Sequence, residues 1–197
     1  MQMNPVSFEL ELVKEGLANY AARVEPTRET SAAAAVATIL RKGQEGSEVL
    51  FIKRAEREGD PWSGDLAFPG GKKERADASL LVTALRETEE EVGLLLPPAA
   101  CLARLDDVVT RTSYRVAQFA FALDDPDAAP VTSAEVTATL WVPLGRLARF
   151  EGAGTLSYVR EGVAVEVPCL HLGGYVLWGM TYRMLLQLLD ALGLPTR

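Results

Sequence analysis

Gly70-Gly71-Lys72-Lys73, followed ten residues later by Ala84-Leu85-Arg86-Glu87-Thr88-Glu89-Glu90-Glu91-Val92-Gly93-Leu94, is the stretch on which the reading of this chain turns. Leu81, Ala84, Leu85, Thr88 and Val92 recur at helical spacing, which predicts a helix over residues 77–92 with these side chains on its buried stripe. Glu87, Glu90 and Glu91 fall at i, i+3, i+4 beside that stripe. Three carboxylates so placed repel one another. They also sit near the helix C-terminal end, where the dipole disfavours negative charge. A helix that needed only solubility would carry lysine there. A hard divalent cation bound through oxygen would remove the repulsion. Such a stripe, opened by a Gly-rich turn, suits Mg²⁺-assisted chemistry on a phosphate ester or anhydride.

Outward from this stretch, residues 36–40 and 49–52 read as two strands joined by a turn containing Gly43 and Gly46. Ser7 is a candidate cap for a first helix running to about Arg23, with Pro26 and Thr27 breaking the pattern. Residues 54–64 form a charged loop with Pro61 and Trp62, leading into Leu66-Ala67-Phe68 and a sharp bend at Pro69-Gly70-Gly71. Further strands are predicted over residues 102–109, 116–123 and 136–142, and a short helix over 143–150. A hairpin over 158–165 turns at Glu161-Gly162, and an amphipathic helix over 178–192 presents Thr181, Leu185, Leu188, Leu189 and Leu192. Strands between helices favour a mixed sheet covered by helices.

A chain of 197 residues, 48% of them apolar, has the material for one domain with a sizeable core. No apolar run approaches the ~18 residues of a membrane span, and residues 1–5 show no cationic patch leading into an apolar core, so neither a membrane anchor nor a secretory signal is expected. Cys101 and Cys169 match no metal or redox spacing and read as free thiols in a reducing, cytoplasmic setting. The net charge of −7 argues against a sequence-independent grip on nucleic acid. It still permits a small anionic substrate where a bound metal and a few arginines set the local field. His171 is the sole histidine, for which a structural role is expected, so carboxylates are the natural source of acid–base chemistry.

The segment from Arg86 to Leu94 resembles the signature box of the Nudix hydrolases, G-x5-E-x7-R-E-U-x-E-E-x-G-U with U a bulky apolar residue; Thr88 stands at the first U. Gly71 lies fifteen residues before Arg86 rather than fourteen, and the upstream acid is Asp77 instead of glutamate. The longer box, Asp77-Ala78-Ser79, Gly64-Asp65-Leu66-Ala67-Phe68-Pro69-Gly70-Gly71, Arg54-Ala55 and Trp178-Gly179-Met180-Thr181 are similar to the coenzyme A pyrophosphatase branch. The stretch from Arg54 to Gly64 is one residue longer than that branch's arginine motif allows, and Arg57 is near the motif's second arginine without aligning to it.

The resemblance implies an α/β protein, a Nudix α/β/α sandwich with a mixed β-sheet. Residues 1–30 would be an N-terminal helical extension and 31–197 the Nudix domain, one globular unit overall. It implies Mg²⁺ or Mn²⁺ held by Glu87, Glu90 and Glu91 with the Gly70 carbonyl. Arg86 would orient Glu87, and Glu135, ahead of the Trp141-Val142-Pro143-Leu144 segment, is the best-placed general base, with Asp106, Asp107 and Asp124 competing. Arg54, Arg57, Lys72 and Gly71 would meet the substrate, as could Lys53, Arg111 and Arg115; Trp62 or Tyr114 could stack on a base. The expected reaction is hydrolysis of a nucleoside diphosphate linked to another moiety. Coenzyme A or its derivatives are favoured, giving 3′,5′-ADP and 4′-phosphopantetheine. ADP-ribose, NADH or nucleotide sugars are the alternative, and a non-catalytic ligand-sensing module the third. The partner is then a small nucleotide, with no nucleic acid or membrane, and a homodimer is compatible with the sequence.

Overall fold

A computed structural model describes residues 8–24, 33–57, 64–110, 114–125, 128–160 and 162–196. The expectations for Ser7, Pro26, Thr27, Pro61, Trp62, Arg111 and Glu161 lie outside the described residues.

The chain runs α1 (Leu10–Ala18), β1 (Ala33–Gly43), β2 (Gly46–Arg54), β3 (Leu66–Ala67), β4 (Gly70–Lys72), α2 (Leu80–Val92), β5 (Cys101–Arg104), β6 (Val108–Val109), β7 (Arg115–Leu123), β8 (Val136–Pro143), α3 (Leu144–Ala148), β9 (Ala153–Arg160), β10 (Val163–Leu172), β11 (Tyr175–Trp178) and α4 (Gly179–Ala191). The main sheet has the order β3-β2-β1-β7-β5, with β4 also on β1, β6 on β7 and β8 on β2. β1 and β7 pair in parallel while the other pairs are antiparallel, so the sheet is mixed as expected.

Strand alternation explains the layers. Ala35, Ala37 and Ile39 of β1 and Leu50 and Ile52 of β2 pack with Ala84 and Val92 of α2 on one face. Val36, Leu40, Val49 and Phe51 point the other way, against Leu10 and Leu17 of α1, Leu147 of α3 and Leu185 and Leu188 of α4. Both faces are covered, which makes an α/β/α sandwich.

Several boundaries differ from the pattern, each for a local polar reason. α2 starts at Leu80, not near Asp77, because the Asp77 carboxylate accepts from the Glu74 N–H at 2.9 Å and the Ser79 hydroxyl accepts from Val82 N–H at 3.2 Å. Asp and Ser compete with helix in this way and so become its entrance. α1 ends at Ala18, well short of Arg23. Beyond it the Tyr20 hydroxyl and the Arg23 N–H both donate to Asp106, at 2.8 and 2.7 Å. Its apolar residues Leu10, Val13 and Leu17 belong to the main core, on the same face as α3 and α4. The strand expected over 102–109 breaks at Leu105-Asp106-Asp107, where Asp107 turns to Arg104 at 2.8 Å. β9, β10 and β11 form a separate antiparallel sheet, of which only the hairpin was anticipated.

Candidate active site

The glycine pair forms a short strand rather than only a bend. β4 pairs with β1 through Ala35↔Gly71 and Val36↔Gly70. This lays it under the last turns of α2, where the Gly70 N–H donates to Glu91 Oε2 at 2.8 Å. Gly70 has φ +153°, and a Cβ there would meet the Ala35 carbonyl oxygen at 2.3 Å. A Cβ on Gly71 would meet the Glu87 carboxylate at 2.4 Å. Gly70 must be glycine because backbone stands against it, whereas at Gly71 the space is taken by the Glu87 side chain.

The three glutamates have different surroundings. Glu91 is only 4% exposed and sits on the buried face of α2, not merely beside it. Its burial pushes its pKa up to about 7, opposed by the Gly70 N–H, with the Glu87 charge adding to the rise. Glu87 is half-buried and also raised, first by burial, with Arg86 acting against it. Glu90 is exposed and is held at 2.8 Å by Arg86. Glu89 is exposed, as expected of a solvated position.

Arg86 orients Glu87 at 3.0 Å, yet its main anchor is Asp77, a residue that sequence reasoning treated only as an imperfect upstream acid. Arg86 Nε and Nη2 donate to the two Asp77 oxygens at 3.1 and 3.0 Å, and Nη2 also reaches the Lys72 carbonyl at 3.1 Å. The Thr83 hydroxyl donates to Asp77 at 2.9 Å. The paired guanidinium holds the Asp77 carboxyl far below the ordinary carboxylate range. The available signal was the spacing: Asp77 stands six residues after Gly71, as the box requires, so the inserted residue falls between Asp77 and Arg86.

Glu135 arrives through the loop before β8. Val131 N–H donates to the Val92 carbonyl at 2.8 Å and Ser133 N–H to the Glu91 carbonyl at 3.0 Å. These bonds satisfy carbonyls that the end of α2 leaves open. They bring Glu135 close enough to raise the pKa of both Glu87 and Glu91. Its side chain pairs with Arg57 at 2.9 Å, and its carbonyl accepts from Ala55 N–H at 2.8 Å. Arg54, the last residue of β2, lowers the Glu91 pKa by its charge. The Lys72 ammonium is exposed at the end of β4.

Other candidates fall away from this cluster. The Tyr114 hydroxyl donates to the Ala33 carbonyl at 3.2 Å and its ring packs on the core, which leaves it a packing residue. Asp106 and Asp107 serve the Tyr20, Arg23, Arg104 and Arg115 contacts, and Asp124 pairs with Lys14 at 2.8 Å. His171 lies in the second sheet with its ring 3.7 Å from the Cys169 thiol. Both cysteines are free. Among the described residues no helix is long and apolar enough to cross a membrane.

Glu87 and Glu91 offer hard oxygen donors over the two glycines of β4, and Glu91 is a buried carboxylate that accepts the Gly70 N–H. That chemistry fits a hard divalent cation. Among the described residues no three acidic, histidine or cysteine side chains already converge as a ligand set, since Glu90 is turned to Arg86.

A mixed sheet between helices, with an acidic helix seated on a glycine strand, defines the class: an α/β domain with a cation-suited carboxylate cradle. The chain belongs to the Nudix family, whose NUDIX domain model matches residues 30–159. The human mitochondrial coenzyme A diphosphatase NUDT8 is 31% identical over 136 residues, 68% of this chain and 58% of that protein. The uncharacterized Nudix hydrolase NudL of Escherichia coli O157:H7 is 29% identical over 163 residues, 82% of each chain. The chain thus spans little more than half the length of the human relative. Among solved structures, a MutT/nudix family protein from Enterococcus faecalis has a TM-score of 0.55 at 18% identity, covering 86% of this chain and 70% of its own. The NUDIX domain of Shewanella oneidensis NrtR, complexed with ADP ribose, has a TM-score of 0.50 at 22% identity, covering 68% and 85%. Both likenesses concern the fold.

Proposed function

We propose that this protein is a Mg²⁺- or Mn²⁺-dependent diphosphatase that cleaves coenzyme A or its derivatives to 3′,5′-ADP and 4′-phosphopantetheine. The observation that carries the reading is the buried Glu91 beside Glu87 on the Gly70-Gly71 strand. Glu87 and Glu91 would hold the metal, with Glu90 and the Gly70 carbonyl as further oxygens. The bound cation supplies charge neutralisation at the phosphates and acidifies a water. Arg86 keeps Glu87 in place and, committed to Asp77, does not reach for substrate. Glu135 takes the proton of the attacking water as its oxygen bonds to phosphorus and the anhydride P–O bond breaks. Arg54, Arg57 and Lys72 face the outer phosphates, and Gly71 lets the chain pass close to them.

The choice of coenzyme A is supported by the human relative and by a contact between two distant stretches that resemble that branch. Trp178 Nε1 donates to Asp65 Oδ1 at 2.9 Å, joining Trp178-Gly179-Met180-Thr181 to Gly64-Asp65-Leu66-Ala67-Phe68-Pro69-Gly70-Gly71. The displaced Arg57 favours a second reading, hydrolysis of ADP-ribose, NADH or a nucleotide sugar. A substrate panel with Mg²⁺ or Mn²⁺ and product identification tests both. Release of 3′,5′-ADP from coenzyme A is expected. AMP from ADP-ribose without coenzyme A turnover would replace the first reading by the second, and no turnover at all would leave a sensing module. A cytoplasmic setting and a homodimer remain part of the proposal.

A further inference from the structure

The ion pair between Arg57 and Glu135 joins a residue read as a phosphate contact to the residue read as the base. Each side chain is about half exposed, at 52% and 56%. The backbones beneath them are fixed. Ala55 N–H bonds the Glu135 carbonyl, Ser133 N–H bonds the Glu91 carbonyl, and the Thr137 hydroxyl donates to the Lys53 carbonyl at 3.3 Å. The side chains, each about half exposed, are the parts that an incoming anion can reach. An exposed pair is weak, and a phosphate accepts a guanidinium fork at least as well as a carboxylate does. Arg86 is tied to Asp77, Glu87, Glu90 and the Lys72 carbonyl and stays with the carboxylates.

We propose that Arg57 is a latch on Glu135 that an incoming substrate diphosphate opens by taking the guanidinium. Before substrate arrives, Arg57 neutralises Glu135 and offsets its repulsion of Glu87 and Glu91. On binding, Arg57 turns to the diphosphate and the carboxylate is released toward the attacking water. Arg57 is then a positioning residue for Glu135 as well as a phosphate contact. The inference rests on reading Glu135 as the base, and its test separates the two.

The test measures binding of α,β-methylene-ADP and of inorganic pyrophosphate by calorimetry at fixed Mg²⁺. The proteins are the full chain, Glu135→Gln, Arg57→Gln and the double variant, each checked for folding by circular dichroism. Glu135→Gln should tighten binding about two- to fivefold, the strength of an exposed pair. Arg57→Gln should weaken binding, and on that background Glu135→Gln should change affinity by less than about 1.5-fold. Equal tightening on both backgrounds would mean relief of general repulsion and overturns the latch. So does no tightening, or no binding of either probe. Turnover of Glu135→Gln is read separately: an unchanged kcat removes Glu135 as the base whatever the binding cycle shows.

Discussion

At the residue scale, burial separates Glu91 from its neighbours. Its carboxyl titrates near 4.5 when unfolded and at about 7 in the fold. Because the folded value is raised, its contribution to stability is fully present below about 4.5 and is lost as pH rises through about 7. Metal-free protein should therefore lose on the order of 3 kcal/mol from this group across that window. Glu91→Gln should flatten the loss in thermal melts with a chelator while lowering turnover by about a hundredfold or more. Added Mg²⁺ should raise the melting temperature more at about pH 8 than at about pH 5, where protons compete for the same oxygens. A Glu91→Gln variant that keeps the Mg²⁺ response would remove this residue from the metal site. Asp77 has the opposite sign. Its folded pKa is depressed, so its stabilisation is present above the unfolded value of 3.8 and drains away only in strong acid. Removing it leaves the Arg86 guanidinium, 21% exposed, without its bidentate partner. Asp77→Ala should then cost about 3 kcal/mol in denaturant unfolding. The place of Glu87 on the helix was legible from spacing, whereas the Asp77–Arg86 pairing was not, because the partner of Asp77 comes from the following helix.

At the scale of elements, the site is one helix on one strand of three residues. Ser79 starts α2 and Gly93, at φ +67°, ends it, so the helix presents Glu87 and Glu91 over β4 without an adjustable turn. The two glycines of β4 should separate in mutation. Gly70→Ala drives a methyl into the Ala35 carbonyl and should destabilise the protein by more than about 2 kcal/mol. Gly71→Ala presses on the Glu87 carboxylate, which can swing. It should leave the melting temperature nearly intact and reduce turnover and Mg²⁺ affinity about tenfold or more. Equal effects of both substitutions on stability would contradict the cradle. Helical and strand periodicity revealed α2, β1, β2, β7, β8 and α4, since each has an apolar face to bury. β4 and β11 escaped it. Two glycines in a three-residue strand carry no periodic signal, and their pairing is decided by β1, whose Ala35 and Val36 lie far back in the chain.

Across the whole molecule, the second sheet is tied to the core on the face that α1 and α4 cover. Leu170, Leu172 and Leu177 enter the main core, and Trp178 bonds Asp65 at the entrance to β3. Trp178→Phe keeps an aromatic ring, smaller than the indole, and removes the donor. It should cost about 1 kcal/mol and raise amide exchange in residues 65–72 ahead of the rest of the sheet. Unaltered exchange there would make the bond incidental. The sequence by itself determined the α/β class, the acidic helix, its glycine prelude and the family, because these are local: spacing along one helix and composition of one turn. Tertiary structure alone decided which carboxylate is buried, that Asp77 anchors Arg86, and that Glu135 meets Arg57. Those pairings join segments up to about eighty residues apart. Long-range contacts of that kind depend on sheet register and loop closure, which leave no period in the chain.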